Sequence, residues 1–142
     1  MLPPRQRATI MGYTSSNPTE LVDGTLLVKL ELRGILDADD ARALVTDLRR
    51  VLQKGAGARK VRLLMDQRQQ QTITAEARRI LSDETRNPTY ERIAVLGGSV
   101  FMRTVSKFIL RAAGESHKAR FFSDLPAALG WLQEASDSTP QP

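Results

Sequence analysis

The chain has 142 residues, a net charge of +5 and no cysteine. This length suits one domain in which roughly two-thirds of the surface can be buried on folding. The lack of cysteine excludes disulfide scaffolds, thiol catalysis and cysteine zinc sites. No apolar run approaches the roughly 20 residues that span a bilayer, and residues 1–7 contain no apolar signal core. We therefore expect a cytoplasmic protein without a transmembrane segment.

The positive charge raises the question of nucleic-acid binding. The basic residues are spread along the chain and mixed with acidic ones, as in residues 37–50 and 83–92. Nucleic-acid binding needs clustered charge, so we interpret the charge as a solvated, mixed surface and predict no nucleic-acid partner. The alternative, a nucleic-acid binder, predicts binding that weakens steeply with salt.

The first part of the chain predicts short strands and then a longer one. Residues 1–19 form a predicted N-terminal extension, in which residues 8–13 have the pattern of an edge strand. The pair Asp23-Gly24 is a strong hairpin signal. Residues 25–32 alternate apolar and charged side chains in their second half, which predicts a strand with one wetter face. Arg33-Gly34 is predicted to end that strand.

Two helices with a strand between them are predicted next. Asp37 is a good cap for the first helix, predicted over residues 38–54. Residues 60–66 predict the next strand, and residues 67–72 predict a polar loop. Thr74 is predicted to cap the second helix.

A short apolar run followed by two glycines is the central motif of the chain. Residues 93–96 are too few for an independent helix and are typical of a strand covered on both faces. Gly97 and Gly98 allow a tight turn, and Ser99 can cap the helix that follows. The predicted inward stripe of that helix consists of Phe101, Val105, Phe108, Ile109 and Ala112.

The end of the chain repeats the alternation of strand and helix. Residues 119–122 predict a strand, and Asp124 is the predicted cap of a last helix with Pro126 in its first turn. Residues 136–142 are predicted to be a flexible tail. We therefore predict an α/β domain over residues 20–135, with a four- to five-stranded mixed sheet and about four helices packed on it.

Four segments together carry a resemblance to a known family. They are residues 36–41 at the first helix, 63–66 in a central strand, 93–99 at the glycine turn, and the closing block 119–132, where a strand ending in Phe-Phe precedes an acidic cap and Ala-Leu-Gly-Trp-Leu. The pattern resembles the bacterial SpoIIAA-like proteins within the wider STAS group, whose fold is also likened to CRAL–TRIO lipid-transfer domains. The resemblance covers residues 24–134.

The resemblance implies a protein without catalytic apparatus. The sequence has no carboxylate–histidine cluster at ligand spacing, so we expect no metal site, and we expect no cofactor. Family members that act as anti-sigma-factor antagonists carry a phosphorylatable serine in an Asp-Ser-Gly loop after a central strand. The matching segment here, residues 66–74, has no Ser-Gly, so Thr72 and Thr74 are its candidate phosphorylation sites. The competing interpretation is a loop hydroxyl and a helix cap. The only histidine, His117, is interpreted as a loop residue rather than as a base.

The glycine turn is also a candidate anion or ligand site. Gly97, Gly98 and Ser99 place backbone N–H groups at a helix N-terminus, and Arg103 follows one turn later. The turn lacks the lysine of a P-loop and the spacing of a dinucleotide fingerprint. A plain tight turn is the alternative interpretation.

The helix after the turn offers two more candidate surfaces. Phe101, Phe108 and Ile109 could contact an apolar, lipid-like ligand, although apolar residues at this spacing are usually core. Arg103, Lys107 and Arg111 share one face of the helix. That face could meet an acidic partner or a membrane surface, and an ordinary solvated face is the alternative.

The sequence favours a non-enzymatic regulatory or protein-interaction module of the STAS, SpoIIAA-like type. We expect its contact surface to be the loop over residues 67–74 with the helix starts at Thr74 and Ser99, since loops at the carboxyl ends of parallel strands share one end of a sheet. The alternative is a carrier of a small apolar or anionic ligand. A homodimer is also expected, through the edge strand at residues 8–13.

Overall fold

The computed structural model describes residues 12–53 and 59–135. The strands are β1 (Tyr13–Ser15), β2 (Thr19–Glu20), β3 (Leu26–Leu36), β4 (Val61–Ile73), β5 (Tyr90–Leu96) and β6 (Ala119–Phe122). The helices are α1 (Ala38–Val51), α2 (Ala75–Thr85), α3 (Val100–Ala113) and α4 (Leu125–Gln133), with a 3-10 helix over Ser116–Lys118. The predicted tail at residues 136–142 and the predicted strand residues 8–11 lie outside the described residues.

The strands form one mixed sheet in the order β1-β3-β4-β5-β6, and β2 also pairs with β3. β3, β4, β5 and β6 are mutually parallel, whereas β1 and β2 run antiparallel to β3. The predicted α/β fold, a mixed sheet carrying four helices, is therefore confirmed. Two short strands beside β3 bring the described sheet to six.

The apolar run before the glycines is an inner strand, as predicted. β5 lies between β4 and β6, and residues 92–96 are all buried. One apolar cluster joins the sheet to α1, α2 and α3, and includes Leu30, Leu44 and Ile109. A second cluster packs α4 onto the opposite face, where Leu64 meets Leu132. Because helices cover both faces, β5 has no wet side, which explains its unbroken apolar sequence.

Four helices begin at the residues that the sequence indicates. The Asp37 side chain accepts from Asp40 N in a capping box. Thr74 accepts from Ala77 N at 3.3 Å, and Ser99 accepts from Met102 N at 3.1 Å. Asp124 accepts from Ala127 N at 2.8 Å, with Pro126 in the first turn of α4. Each cap satisfies an N–H group that the first helical turn leaves without a backbone partner.

Two predicted strand boundaries are wrong. β3 continues through Gly34 to Leu36, and β4 continues through the predicted loop at residues 67–72 to Ile73. The two extensions pair with each other, so their polar backbone groups stay in the ladder although their side chains do not alternate. Within the described residues the edge strand covers Tyr13–Ser15, so the prediction for residues 8–11 stays untested. The polar side chains of these extensions do not indicate strands in the sequence, because each extension is held by its pairing with the neighbouring strand.

Two buried arginines on neighbouring strands hold the end of α4. Arg62 of β4 donates to Leu132 O at 2.7 Å and to Glu134 O at 2.8 Å. Arg92 of β5 donates to Trp131 O at 2.7 Å and to Glu134 O at 3.0 Å. The last carbonyl groups of a helix have no partner within it, so these guanidinium groups supply the missing donors.

Candidate functional site

The extended part of β4 is irregular, and its irregularity turns two glutamines inward. Relative to β3, β4 has one extra residue between Asp66 and Gln69 and another between Gln70 and Thr72. A β-bulge of this kind changes the direction of the side chains beside it and is common next to functional sites. Gln67 and Gln70 are only 2% and 6% exposed as a result.

Gln67 connects the bulged strand to the glycine turn and to α3. Its Nε2 donates to Gly97 O at 3.4 Å, and its Oε1 accepts from Ser106 Oγ at 2.9 Å. A Cβ atom at Gly98, where φ is 91°, would lie 2.8 Å from Gln67 Nε2. A Cβ atom at Gly97 would collide with the Arg68 side chain. The turn therefore packs directly on β4, which brings together two parts of the predicted contact surface.

A small cavity of about 40 Å³ lies between the sheet, α2 and α3. Its walls are mainly apolar and include Met65, Ile73 and Ile109, while Gln67 and Gln70 provide polar groups. Within the described part of the chain, Gln70 Oε1 is buried without a hydrogen-bond partner. An acceptor left in this state costs about 1–3 kcal/mol.

The predicted apolar contact residues do not lie together. Ile109 is 8% exposed and lines the cavity, whereas Phe101 and Phe108 are 56% and 64% exposed on the outer side of α3. The predicted inward stripe is therefore wrong in its phase around the helix. The buried residues of α3 are Met102, Val105, Ile109, Leu110 and Ala113. Two overlapping apolar stripes satisfy the same helical spacing, and only packing on the sheet distinguishes them.

A row of cations runs along the exposed surface of α3, on the flank that faces β6. Arg103, Lys107 and Arg111 are exposed and four residues apart, as the spacing predicts. Lys107 Nζ lies 5.4 Å from the centre of the Phe121 ring, so this row faces β6. The segment from Ser99 to Gly114 contains no carboxylate.

Some of the polar groups of the predicted anion site at the turn already form hydrogen bonds within the protein. Gly97 N donates to Phe122 O at 2.9 Å, and the Ser99 hydroxyl accepts from Met102 N. Arg103 is exposed one turn along α3. Anion binding by Gly97, Gly98, Ser99 and Arg103 stays a prediction.

The two candidate phosphorylation sites have different surroundings. Thr74 caps α2, as the competing interpretation has it, and Thr72 is half-buried in β4 opposite Ile35. Phosphorylation at either residue stays a prediction. Nearby, hydrogen bonding from Arg68 holds the pKa of the Asp66 carboxyl below its ordinary value, so this ion pair persists at neutral pH.

Gln67, Gln70 and Ser106 were not identified as site residues from the sequence. The available signal is a run of polar residues, 67–72, between two apolar stretches, which also fits a loop.

The single histidine, His117, is exposed, and its Nε2 lies 3.6 Å from Glu115 Oε2. Across residues 12–53 and 59–135 no group of histidines and carboxylates could hold a metal ion. Across the same residues no helix is long and apolar enough to cross a membrane.

Residues 19–136 match a family model described as a domain of unknown function, DUF7793. The chain belongs to the DUF7793 family. No curated protein matches this DUF7793 chain.

Two solved structures share the fold of the DUF7793 chain. One is an uncharacterised protein of the DUF3478 family with a SpoIIAA-like fold from Shewanella loihica PV-4, which is 17% identical, with 87% of this chain and 95% of the other covered and a TM-score of 0.66. The other is the anti-sigma factor antagonist SpoIIAA in its unphosphorylated form, 15% identical, with 87% and 99% covered and a TM-score of 0.59. The predicted SpoIIAA-like fold is thereby confirmed.

Proposed function

We propose that this chain is a non-enzymatic regulatory module of the STAS type that binds an acidic protein segment along α3. The observation that carries the proposal is the outer surface of that helix. Two phenylalanines, Phe101 and Phe108, and a row of cations that no carboxylate of α3 neutralises are all exposed on this helix. Exposed aromatic and basic side chains together are typical of protein interfaces.

The two phenylalanines lie on one line along α3, which we call the phenylalanine row. Phe101 and Phe108 are two helical turns apart, so at about 100° per residue they lie one above the other. The cation row faces β6 through Lys107 and Phe121, so the phenylalanine row lies on the opposite flank, towards α2. A partner segment lying along this flank would cover both aromatic rings at once.

A further cation borders the same row from α2. Arg79 is exposed and shares a helix face with Ser82 and Arg86. Both of those residues bond to α3, since Ser82 Oγ donates to Ile109 O at 3.4 Å and Arg86 Nε donates to Ala113 O at 3.4 Å. The phenylalanine row therefore lies between Arg79 on one side and the α3 cations on the other.

The charge of this surface indicates the charge of its partner. Within residues 12–53 and 59–135, no carboxylate forms an ion pair with Arg79, Arg103, Lys107 or Arg111. A complementary segment would present apolar side chains flanked by Asp and Glu. An amphipathic acidic helix meets that requirement, because its apolar stripe has polar residues on both sides.

A protein suits this surface better than a membrane does. The phenylalanines lie to one side of the outermost line of α3, where Val100, Thr104 and Arg111 protrude. A flat bilayer would meet those residues first, whereas a helix can lie in the angle between α2 and α3. The same fold occurs in SpoIIAA, which is an anti-sigma factor antagonist and so acts on another protein.

Site-specific photo-crosslinking tests the proposal. A photoreactive phenylalanine derivative replaces Phe108 in the full chain, and a matched control carries it at Val22, an exposed apolar residue at the β2–β3 hairpin. Both proteins are irradiated in an extract of the source cells. We expect one acidic protein to be linked at position 108 and not at position 22, and its yield to fall at least tenfold when Arg103, Lys107 and Arg111 are all changed to glutamate.

Two outcomes would contradict the proposal. One is the same set of adducts from positions 108 and 22, which would show that the α3 surface has no selectivity. The other is retention of the wild-type chain by phosphatidylglycerol vesicles, lost in the triple glutamate variant, which would assign the surface to a membrane.

A further inference from the structure

We propose that the cavity beneath α3 binds a small neutral molecule that donates a hydrogen bond to Gln70 Oε1. The cavity belongs to the packed interior, whereas the proposed docking surface is on the outer side of α3, so the two proposals can fail separately. Its first support is the buried acceptor itself. Gln70 is 6% exposed, its Nε2 donates to Thr72 O at 3.4 Å, and its Oε1 has no partner within the described residues.

The local backbone places this acceptor with two other polar groups. The β4 bulge between Asp66 and Gln69 lets both Gln67 and Gln70 face the cavity in spite of their odd separation of three residues. Ser106 reaches the same cavity from α3 and donates to Gln67 Oε1 at 2.9 Å. Regular alternation would have sent one of the two glutamines to the opposite face of the sheet.

The walls determine the charge of the occupant. None of the described residues that line the cavity is acidic, basic or histidine. An ionised ligand would lose its hydration with no counter-charge, which is far more costly than burying a neutral hydroxyl or amide. The apolar walls include Val95, Met102 and Ile109, so the occupant needs an apolar body as well as one donor group.

The volume determines the size of the occupant. At about 40 Å³ the cavity is much smaller than the roughly 150 Å³ cavity that accommodates benzene in another protein. A lipid-like chain therefore requires α3 to move away from the sheet. A molecule of a few heavy atoms, such as a short alcohol or primary amide, requires only small side-chain adjustments, which the flexible Met65 and Met102 can make.

Paired probes of equal size test the proposal on the wild-type chain. 2-Propanol carries a donor hydroxyl, whereas acetone has nearly the same shape and only an acceptor. The methyl NMR signals of Met65 and Met102, which line the cavity, report occupancy. We expect 2-propanol to shift these signals along a saturating curve and acetone to bind at least tenfold more weakly.

A pair of variants locates the binding. Gln70→Leu removes the acceptor, and Gln71→Leu alters an exposed neighbour as the matched control. We expect 2-propanol binding to weaken at least tenfold in the first variant and to be unchanged in the second. Because the buried acceptor has no partner, we also expect Gln70→Leu to melt at the wild-type temperature or above it.

Three results would overturn the proposal. The first is equal binding of 2-propanol and acetone, and the second is a response that rises linearly without saturation. The third is an ordered water alone in the cavity of a crystal soaked in 2-propanol. The first two comparisons use the wild-type chain, so they decide the matter even where Gln70→Leu fails to fold.

Discussion

Gly98 shows how one residue determines the junction between the sheet and α3. Its φ of 91° belongs to the region that side chains disfavour, and the space where a Cβ atom would lie is taken by the Gln67 amide. That amide in turn holds Gly97 O and Ser106 Oγ. A glycine here is therefore required for two independent reasons, one of backbone conformation and one of space.

Gly98→Ala is expected to lower the free energy of unfolding by about 1–3 kcal/mol, from the positive φ and from displacement of Gln67. Chemical denaturation measures the loss. Gly114→Ala is the control for conformation alone, because its φ is 74° and a Cβ atom there meets nothing within 4 Å.

Gly130→Ala adds a methyl group in open space within α4 and should raise the free energy of unfolding by about 0.5–1 kcal/mol.

A loss at Gly98 no larger than the loss at Gly114 would show that Gln67 moves aside without cost. In that case the contact between the turn and β4 would not hold α3 in place. The Ser106 signal in an NMR spectrum provides a second readout, since displacement of Gln67 removes the bond to Ser106 Oγ.

At the scale of elements, α4 is attached to the sheet through charge as well as through apolar contact. Arg62 is fully buried, and besides two carbonyls of the α4 end it bonds Asp23 Oδ2 and Glu91 Oε2, each at 2.7 Å. Hydrogen bonds from Thr25 and the Arg62 charge lower the pKa of Asp23 to about 2. One guanidinium group thus joins β4, the β2–β3 hairpin, β5 and α4.

Arg62→Met is expected to lower the free energy of unfolding by about 3–5 kcal/mol, because two carboxylates and two carbonyls lose a buried donor. Hydrogen exchange at pH 7 should show the largest loss of protection in α4, at residues 125–133. Arg42→Met is the control, since the pairs of Arg42 with Asp39 and Glu76 are exposed and each is worth up to about 1 kcal/mol. Equal losses in the two variants, or uniform exchange across the sheet, would contradict this role.

The sequence predicts elements well where the signal is local. Asp37, Thr74 and Ser99 are caps because a short oxygen-bearing side chain precedes a helical apolar pattern, and those signals lie within one turn of chain. The buried run of β5 and the glycines after it are equally local. These features were enough to predict the fold class, the order of the elements and the place of the turn.

The features that the sequence does not predict depend on contacts between residues that are distant in the chain. The bulges of β4 exist only relative to β3, so alternation could not show that Gln67 and Gln70 both face inward. Which side of α3 is buried depends on the sheet beneath it. Helical spacing alone predicts Phe101 and Phe108 to face inward, whereas both are exposed. The burial of Arg62 depends on Asp23, 39 residues away, and nothing in the immediate sequence indicates it.

At the scale of the whole molecule, the candidate site connects an interior cavity with an exterior surface. Gln67 lines the cavity, bonds the carbonyl of the glycine turn and accepts from Ser106 of α3. The same helix carries Phe108 and the cations on its outer side. An occupant that moves Gln67 would therefore act on the element that forms the proposed docking surface, which would connect the proposed ligand with the proposed partner.

The two margins of the sheet are protected differently. β6 carries the exposed Arg120, and a charged side chain of this kind discourages pairing with another chain. On the other side, β1 pairs with the apolar strand β3, with Tyr13 opposite Leu32 and Ser15 opposite Leu30. The matched family segment begins at residue 19 and so does not include β1.

Removal of residues 1–18 should therefore change both stability and association. Tyr13 is 7% exposed and its hydroxyl donates to Asp47 Oδ2 at 2.5 Å, so its loss should lower the free energy of unfolding by about 3–5 kcal/mol. The freed edge of β3, from Val28 to Leu32, would expose unpaired N–H and C=O groups between apolar side chains. We expect light scattering to show a larger average mass than for the full chain at equal concentration.

Tyr13→Phe in the full chain is the matched control for this truncation. It removes only the bond to Asp47 and leaves the backbone pairing of β1 with β3, so it should cost about 0.5–3 kcal/mol without changing the average mass. If the truncated chain instead has a smaller mass than the full chain, the contact between copies lies within residues 1–18. Any part taken by Tyr13–Ser15 in a homodimer would use its outer edge, because its inner edge is already bonded to β3.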